Sequence, residues 1–343
     1  MTDGRCRIGW SSVLLCLAAV CAMSALSACS GSGQAGSTAI VALDRLRLRS
    51  STAEAARTVG ELKGGDHVSI LDHAEAEGVA WVNVKGPDGT TGWAQMRNLV
   101  DQEAFDKSHQ LADQLKDIQT QASGRSKATL KLRLTPDRTS DENVLNVLQT
   151  STELEILRRD RRPRPVIASE AKDVKDAEPV GDQKYDEWYQ VRIPNNQVTP
   201  AGWIYGGSIE LQIPPDIIYY PSAGRRIVGW MSLGEAKDER GRAGEHFLVL
   251  EREIFGKEQD SDYDRIKILA YDPVLRDYST PFREDIRGRF PIRLTRDGKR
   301  ATLDVPTIGT DRPVSFQIQA TEAGKFETTR LTPKEAAPHK RKK

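Results

Sequence analysis

Few residues of this chain have the types and spacing that chemistry requires. All four cysteines, Cys6, Cys16, Cys21 and Cys29, fall within the first 29 positions. The chain beyond Cys29 can therefore build neither a disulfide framework nor a Cys–His nucleophile pair. His67 and His73 lack a third ligand nearby, and His109, His246 and His339 stand in separate segments, which is not the pattern of a metal site. No G-x-S-x-G or H-E-x-x-H occurs. Asp260-Ser261-Asp262-Tyr263-Asp264 opens like a calcium loop, but its sixth position is Arg265 and its twelfth Tyr271, where a glycine and a glutamate are required. The remaining reactive group is the Cys29 thiol. It comes after Leu26-Ser27-Ala28, at the end of an apolar run.

The residues before it suit export. Arg5 and Arg7 form a short basic start, Val13 to Ala25 is apolar, and no charge falls between Arg7 and Asp44. Leu26 to Cys29 resembles the lipidation box of bacterial lipoproteins. That resemblance implies that residues 1–28 are removed and that Cys29 carries diacylglycerol. Residues 29–39, rich in Ser and Gly, would then be a flexible tether. Each buried methylene of such an anchor contributes about 0.8 kcal/mol, and two or more acyl chains make residence lasting. The expected location is the membrane of the exported side, outer-membrane or periplasmic in a Gram-negative cell. The full chain carries a formal charge of +1 and the export segment removes two basic residues and one acidic, so nothing in the charge balance calls for a nucleic-acid partner.

After the tether, one pattern occurs twice. Leu46, Val59, Leu62, Val68 and Leu71 match Leu132, Leu145, Leu148, Leu154 and Leu157 at one constant offset. Trp81-Val82-Asn83-Val84 then matches Trp188-Tyr189-Gln190-Val191, and Gly92-Trp93 matches Gly202-Trp203. A repeat of this period marks one supersecondary unit used twice. Alternation at Leu46/Leu48 and Val82/Val84 gives half-buried strands, separated by turns at Lys63 to Asp66 and Gly86 to Gly89.

The order L-R-x-R-S, V-x-x-L-x-x-G-x-x-V, W-V-x-V, G-W closely resembles the bacterial SH3-like (SH3b) domain. The resemblance covers roughly 40–105 and, less completely, 128–212. It implies two small β-barrels, at 40–100 and 128–212, that bind a peptide-like ligand on the outside, because so small a barrel has no room within. The surface it implies lies between Ser50–Arg57 and Asp72–Gly78. The side chains to examine there are Asp72, Glu75, Trp81 and Trp93, with Trp188 and Trp203 in the second copy. The competing account of the tryptophans is core packing.

Three further segments complete the chain. Residues 101–127 read as a helical connector, with Phe105, Leu111, Leu115 and Ile118 on one stripe and Gly124 as its stop. The second copy carries a charged insertion, 158–187, opened by Arg158, Arg159, Arg161 and Arg162. It reads as a mobile arm able to grip a carboxylate or phosphate, or else as a solvated loop whose acidic half neutralises its basic half. Residues 213–333 alternate as short strands, an antiparallel sandwich or barrel, and 334–343 is a basic disordered tail. The expectation is an all-β, non-catalytic envelope lipoprotein with no cofactor and no metal. It would bind peptidoglycan or a wall-associated peptide or protein. The alternative is a periplasmic scaffold acting through its last domain, with the barrels as spacers.

Overall fold

The computed structural model describes residues 37–165, 184–237, 243–254, 260–321 and 325–331. Cys29, the acidic half of the insertion and the basic tail lie outside them. The described chain is mostly β-sheet with one α-helix.

Seven strands form the first unit: β1 (Thr38–Val41), β2 (Arg45–Arg49), β3 (Thr58–Lys63), β4 (His67–Ala76), β5 (Val79–Lys85), β6 (Thr91–Gln95) and β7 (Leu99–Asp101). They are ordered β3-β2-β6-β5-β4-β1-β7. In β2 the sequence Arg-Leu-Arg-Leu-Arg buries Leu46 and Leu48, as period-two alternation demands. These leucines meet Leu62, Val68, Val82 and Val84 in one core. The stretch Asp72–Gly78 is not a loop. Asp72 and Glu75 continue β4, which reverses into β5 through Glu77 and Gly78, both at positive φ (54° and 72°). Two such residues make the tight turn whose twist suits a hairpin.

Helix α1 (Gln102–Leu115) comes next, its first turn closed by Asp101, which accepts from the Ala104 amide at 2.7 Å. It buries Ala104, Ser108 and Leu115. Leu115 packs with Leu157 and Ala201 of the second unit. The helix is shorter than the connector expected over 101–127. Residues 122–126 are recruited as a strand, which removes Gly124 from any helix-stopping role.

The second unit consists of β8 (Ala122–Ser126), β9 (Leu130–Arg133), β10 (Val144–Leu148), β11 (Glu153–Pro163), β12 (Tyr185–Arg192), β13 (Ala201–Tyr205) and β14 (Ile209–Leu211). Its order, β10-β9-β13-β12-β11-β8-β14, repeats the first strand for strand. The pairing register slips at matching places, between Ile70 and Asp72 in β4 and between Ile156 and Arg158 in β11. One sequence match needs correcting. Arg49 lies opposite Trp93 and Arg133 opposite Trp203, so Leu48, not Leu46, is the counterpart of Leu132. The β9–β10 connection, 134–143, is longer than its counterpart, 50–57, and absorbs the offset.

The rest of the chain forms two sheets in sequential antiparallel order: β15 (Arg225–Lys237), β16 (Ala243–Glu253), β17 (Tyr263–Asp272) and β18 (Asp277–Gly288), then β19 (Arg293–Asp297), β20 (Arg300–Val305), β21 (Val314–Ala320) and β22 (Phe326–Arg330). They enclose one core, with Leu248, Leu250, Ile266 and Ile268 from the first sheet and Leu303 and Phe316 from the second. The first sheet is buried on its other face as well, where Ile217 covers Phe247, Val249 and Leu269.

Candidate functional site

The side chains that the sequence nominates come together only in part: Asp72 and Trp93 share one cross-strand row through Asn83, as Arg158 and Trp203 do through Gln190. Asp72 and Glu75 are exposed along β4. Trp81 and Trp188 are buried, with 6% and 1% of their surface exposed, on the strand face opposite the core-facing Val82 and Val191. Arg49 lies over the Trp81 ring at 5.5 Å, and Tyr205 meets Trp188 edge-on at 5.9 Å. Trp93 and Trp203 are half-buried.

The arginine arm also differs from expectation. Arg158 to Pro163 are strand, paired with Tyr185 to Gln190 as a ribbon that lengthens β11 and β12. Alternation then sorts the arginines. Arg158 and Arg162 face solvent, Arg161 stacks over Tyr185 at 4.7 Å, and Arg159 points inward with 2% of its side chain exposed. The segment between the ribbon's two halves, 166–183, lies outside the described residues.

Arg159 leads to the most developed polar site among the described residues. It lines a cleft of about 350 Å³ between the second unit and the C-terminal sheets, with Glu187, Tyr189, Tyr205, Arg252 and Asp262. Arg159 contacts Glu187 through Nη2 and donates to Asp262 Oδ1 through Nη1 at 3.1 Å. Arg252 donates to Glu187 Oε1 at 3.0 Å, and Asp262 Oδ2 accepts from the Phe290 amide at 2.7 Å. Gly206 and Gly207 let the tyrosines come close. A Cβ at Gly206 would sit 2.8 Å from the Tyr189 ring, and one at Gly207 2.7 Å from Tyr205.

Burial opposes ionisation of Glu187, but Arg159 and Arg252 outweigh it and push its carboxyl down to about 2. Burial also disfavours charge on Asp262 and raises it, with Arg159 opposing the rise. Arg252 is shifted down by burial and then by the neighbouring Arg159. Tyr189 is raised by burial and by Glu187, so it stays a neutral phenol and a hydrogen-bond donor. The cleft is therefore a charged, partly desolvated recess walled by phenol rings. It can hold and orient a ligand.

The acidic turn at 260–264 serves this architecture. Asp262 is taken by Arg159 and the Phe290 amide, while Asp264 contacts Arg225 and accepts from the Glu253 amide at 2.9 Å. Sequence reading missed Glu187, Tyr189, Tyr205, Arg252 and Asp262 as partners. A signal did exist in the differences between the copies. With Trp81 matched to Trp188 and Trp93 to Trp203, the first unit has Ala80 for Glu187, Val82 for Tyr189, Gln95 for Tyr205 and Met96 for Gly206.

No family model and no curated protein matches this chain. Among solved structures, NlpC2 from Trichomonas vaginalis is 13% identical, over 52% of this chain and about half (48%) of its own, with a TM-score of 0.16. A structure described as an autolysin from Listeria monocytogenes is 10% identical over 82% of this chain and 93% of its own, also with a TM-score of 0.16. At that score neither likeness bears on fold or activity.

Proposed function

We propose that this chain is a non-catalytic envelope lipoprotein, anchored through Cys29, whose two seven-stranded units are SH3-like modules that hold peptidoglycan or a wall-associated peptide. The observation that supports the reading most is the duplication itself. Both units share one strand order and one slip in register, between Ile70 and Asp72 and between Ile156 and Arg158. Gly92-Trp93 and Gly202-Trp203 stand on corresponding strands of that pattern, and Leu46 to Arg49, part of the stretch that resembles SH3b domains, corresponds to Leu130 to Arg133. A duplicated binding unit raises the effective concentration of the second contact after the first, which suits a polymeric ligand.

Detergent-extracted full-length protein should sediment with purified sacculi, and Cys29→Ala should shift the cellular protein from the membrane to the soluble fraction. Wild-type protein that stays in the supernatant with sacculi would end the wall-binding part. Wild-type protein recovered without acyl groups would end the anchoring part.

A specific feature favours a second reading, a scaffold acting through the C-terminal sheets. Val274 and Leu275 at the β17–β18 turn are 85% and 74% exposed, and Tyr219 is 89% exposed. The two segments meet where Tyr220 donates to Asp277. Cross-linking in intact cells should capture one dominant protein through this end if the scaffold reading holds.

A further inference from the structure

The cleft beside Arg159 has features that a purely structural ion network does not need. We propose that it is a binding site for a small ligand bearing an oxyanion, a carboxylate or a phosphate, on a short body that packs against Tyr189 and Tyr205. This goes beyond the wall-binding reading, which places no ligand in this cleft.

Four cations line it, Lys127, Arg159, Arg226 and Arg252, against two carboxylates, Glu187 and Asp262. Glu187 bridges Arg159 and Arg252, and Asp262 is engaged by Arg159 and the Phe290 amide. Both carboxylates are thus committed within the wall. Lys127 and Arg226, exposed at the rim, have no ion-pair partner among the described residues. Inside, the Arg159 Nε is buried and also lacks a hydrogen-bond partner among the described residues. An unpaired buried donor costs stability and calls for an acceptor. The surplus is positive, the free donors are guanidinium and ammonium, and such groups match carboxylate or phosphate oxygens.

Size and shape agree with this. About 350 Å³ lies at the lower end of the range for small-molecule pockets. It admits a blocked dipeptide or a similar fragment and excludes a folded partner. Tyr189 provides flat apolar surface with a polar edge, and Tyr205, whose ring Arg138 and Trp188 already cover in part, closes the wall beside it. The first unit serves as an internal control. Its counterparts of Arg159, Glu187 and Tyr205 are His73, Ala80 and Gln95, so the charged and phenolic lining of this recess belongs to the second copy.

The test is calorimetric titration of the full-length protein in detergent micelles. The probes are N-acetylalanylalanine as the free acid, the same peptide as its C-terminal amide, and O-phosphoserine with blocked termini. An oxyanion-bearing probe should bind and the amide should not, with affinity falling as salt rises. Arg226→Glu and Lys127→Glu should each weaken it by about tenfold, the effect of losing one charge-assisted contact. Both residues are exposed, so neither change threatens the fold. A stronger acid peptide assigns the oxyanion to carboxylate, and a stronger phosphoserine assigns it to phosphate. Equal binding of acid and amide, indifference to both charge reversals, or no binding of any probe at millimolar concentration would overturn the proposal. Whether an oxyanion-bearing probe outbinds the amide decides it, whatever the sacculus experiment shows.

Discussion

Gln121 holds Ile292 by both of its backbone polar groups: its Oε1 accepts from the Ile292 amide at 2.9 Å, and its Nε2 donates to the Ile292 carbonyl at 3.1 Å. Gln119 repeats the arrangement on Leu294, accepting from its amide at 2.7 Å and donating to its carbonyl at 2.9 Å. Residues two apart on one segment thus meet residues two apart on another, and side-chain amides replace the missing neighbour of an edge strand. The same segment accepts a bond from the Trp230 amide at the Gln121 carbonyl, at 2.9 Å. The residues between α1 and β8 are therefore the splice that joins the second unit to both C-terminal sheets.

Gln121→Leu should consequently destabilise the whole described assembly. Gln121 is fully buried, so both Ile292 groups would lose their partner without gaining water. Each orphaned group costs about 1–3 kcal/mol. Gln119 is exposed, and water can replace it, so Gln119→Leu should cost less. Urea unfolding of the two variants checks the order. Equal midpoints for Gln121→Leu and wild type would show that the clamp carries no stability.

The glycine of each Gly-Trp pair makes a second, paired prediction. A Cβ at Gly92 would lie 2.9 Å from Leu48 Cβ and 3.0 Å from the Arg49 carbonyl oxygen. One at Gly202 would lie 2.6 Å from the Leu132 side chain and 3.0 Å from the Arg133 carbonyl oxygen. In both units the backbone of the neighbouring strand leaves no room for a methyl group. Gly92→Ala and Gly202→Ala should each cost about 1–3 kcal/mol by overpacking. The sites share no partner, so the double variant should lose about the sum of the two. Chemical denaturation of the three variants measures this.

A buried ion pair fixes the outer face of the β15–β18 sheet. Lys267 and Glu251, with side chains 4% and 0% exposed, meet at 2.7 Å. Glu251 also accepts from the Ser222 amide at 2.8 Å, and Lys267 donates to the Tyr220 carbonyl. The pair thereby ties down the segment whose Ile217 seals that face. Lys267→Met alone strands a buried carboxylate and should cost about 3–5 kcal/mol, whereas Lys267→Met with Glu251→Leu should recover most of it. Thermal unfolding of single and double variants distinguishes the two. A double variant as unstable as the single would mean that the pair acts through its backbone contacts instead.

The sequence carried the all-β class because alternation leaves a period-two record, as in the Arg-Leu-Arg-Leu-Arg of β2. It also carried the repeat, because Trp81/Trp188 and Gly92/Gly202 occupy packing positions that tolerate little else. Register was less visible. Leu46 and Leu48 are both leucines on the same face, so a slip of two residues at β2 preserves every apolar match, and only the pairing of Arg49 with Trp93 reveals it. The insertion misled for a related reason. Proline and charge at 158–165 read as a solvated loop, yet Arg159 satisfies its charge through Glu187, beyond the insertion's acidic run, and Asp262, more than a hundred positions on. Distant pairings of that kind leave no spacing to read.

The pH dependence of stability should show two separate limbs. His246 is buried, and its Nδ1 accepts from the Tyr271 amide at 3.0 Å, a role that only an unprotonated nitrogen can fill. Burial lowers its pKa below the ordinary 6.5. The unfolded chain therefore binds the proton first, and stability that is complete above 6.5 declines as pH falls through the window beneath it. Glu187 acts lower. Its carboxyl is held at about 2 against an ordinary 4.5, so its contribution is complete above 4.5 and is lost between there and about 2. A displacement of that size is worth about 3 kcal/mol. Unfolding free energy measured from pH 8 to 3 should thus fall in both windows. His246→Gln should flatten the upper limb and leave the lower one, and Glu187→Gln should do the reverse. Glu187→Gln should also start from a lower plateau, because Arg159 and Arg252 lose their shared counter-charge. If Glu187→Gln leaves the lower limb as steep as in wild type, the acid sensitivity belongs to other carboxylates and the cleft is not its source.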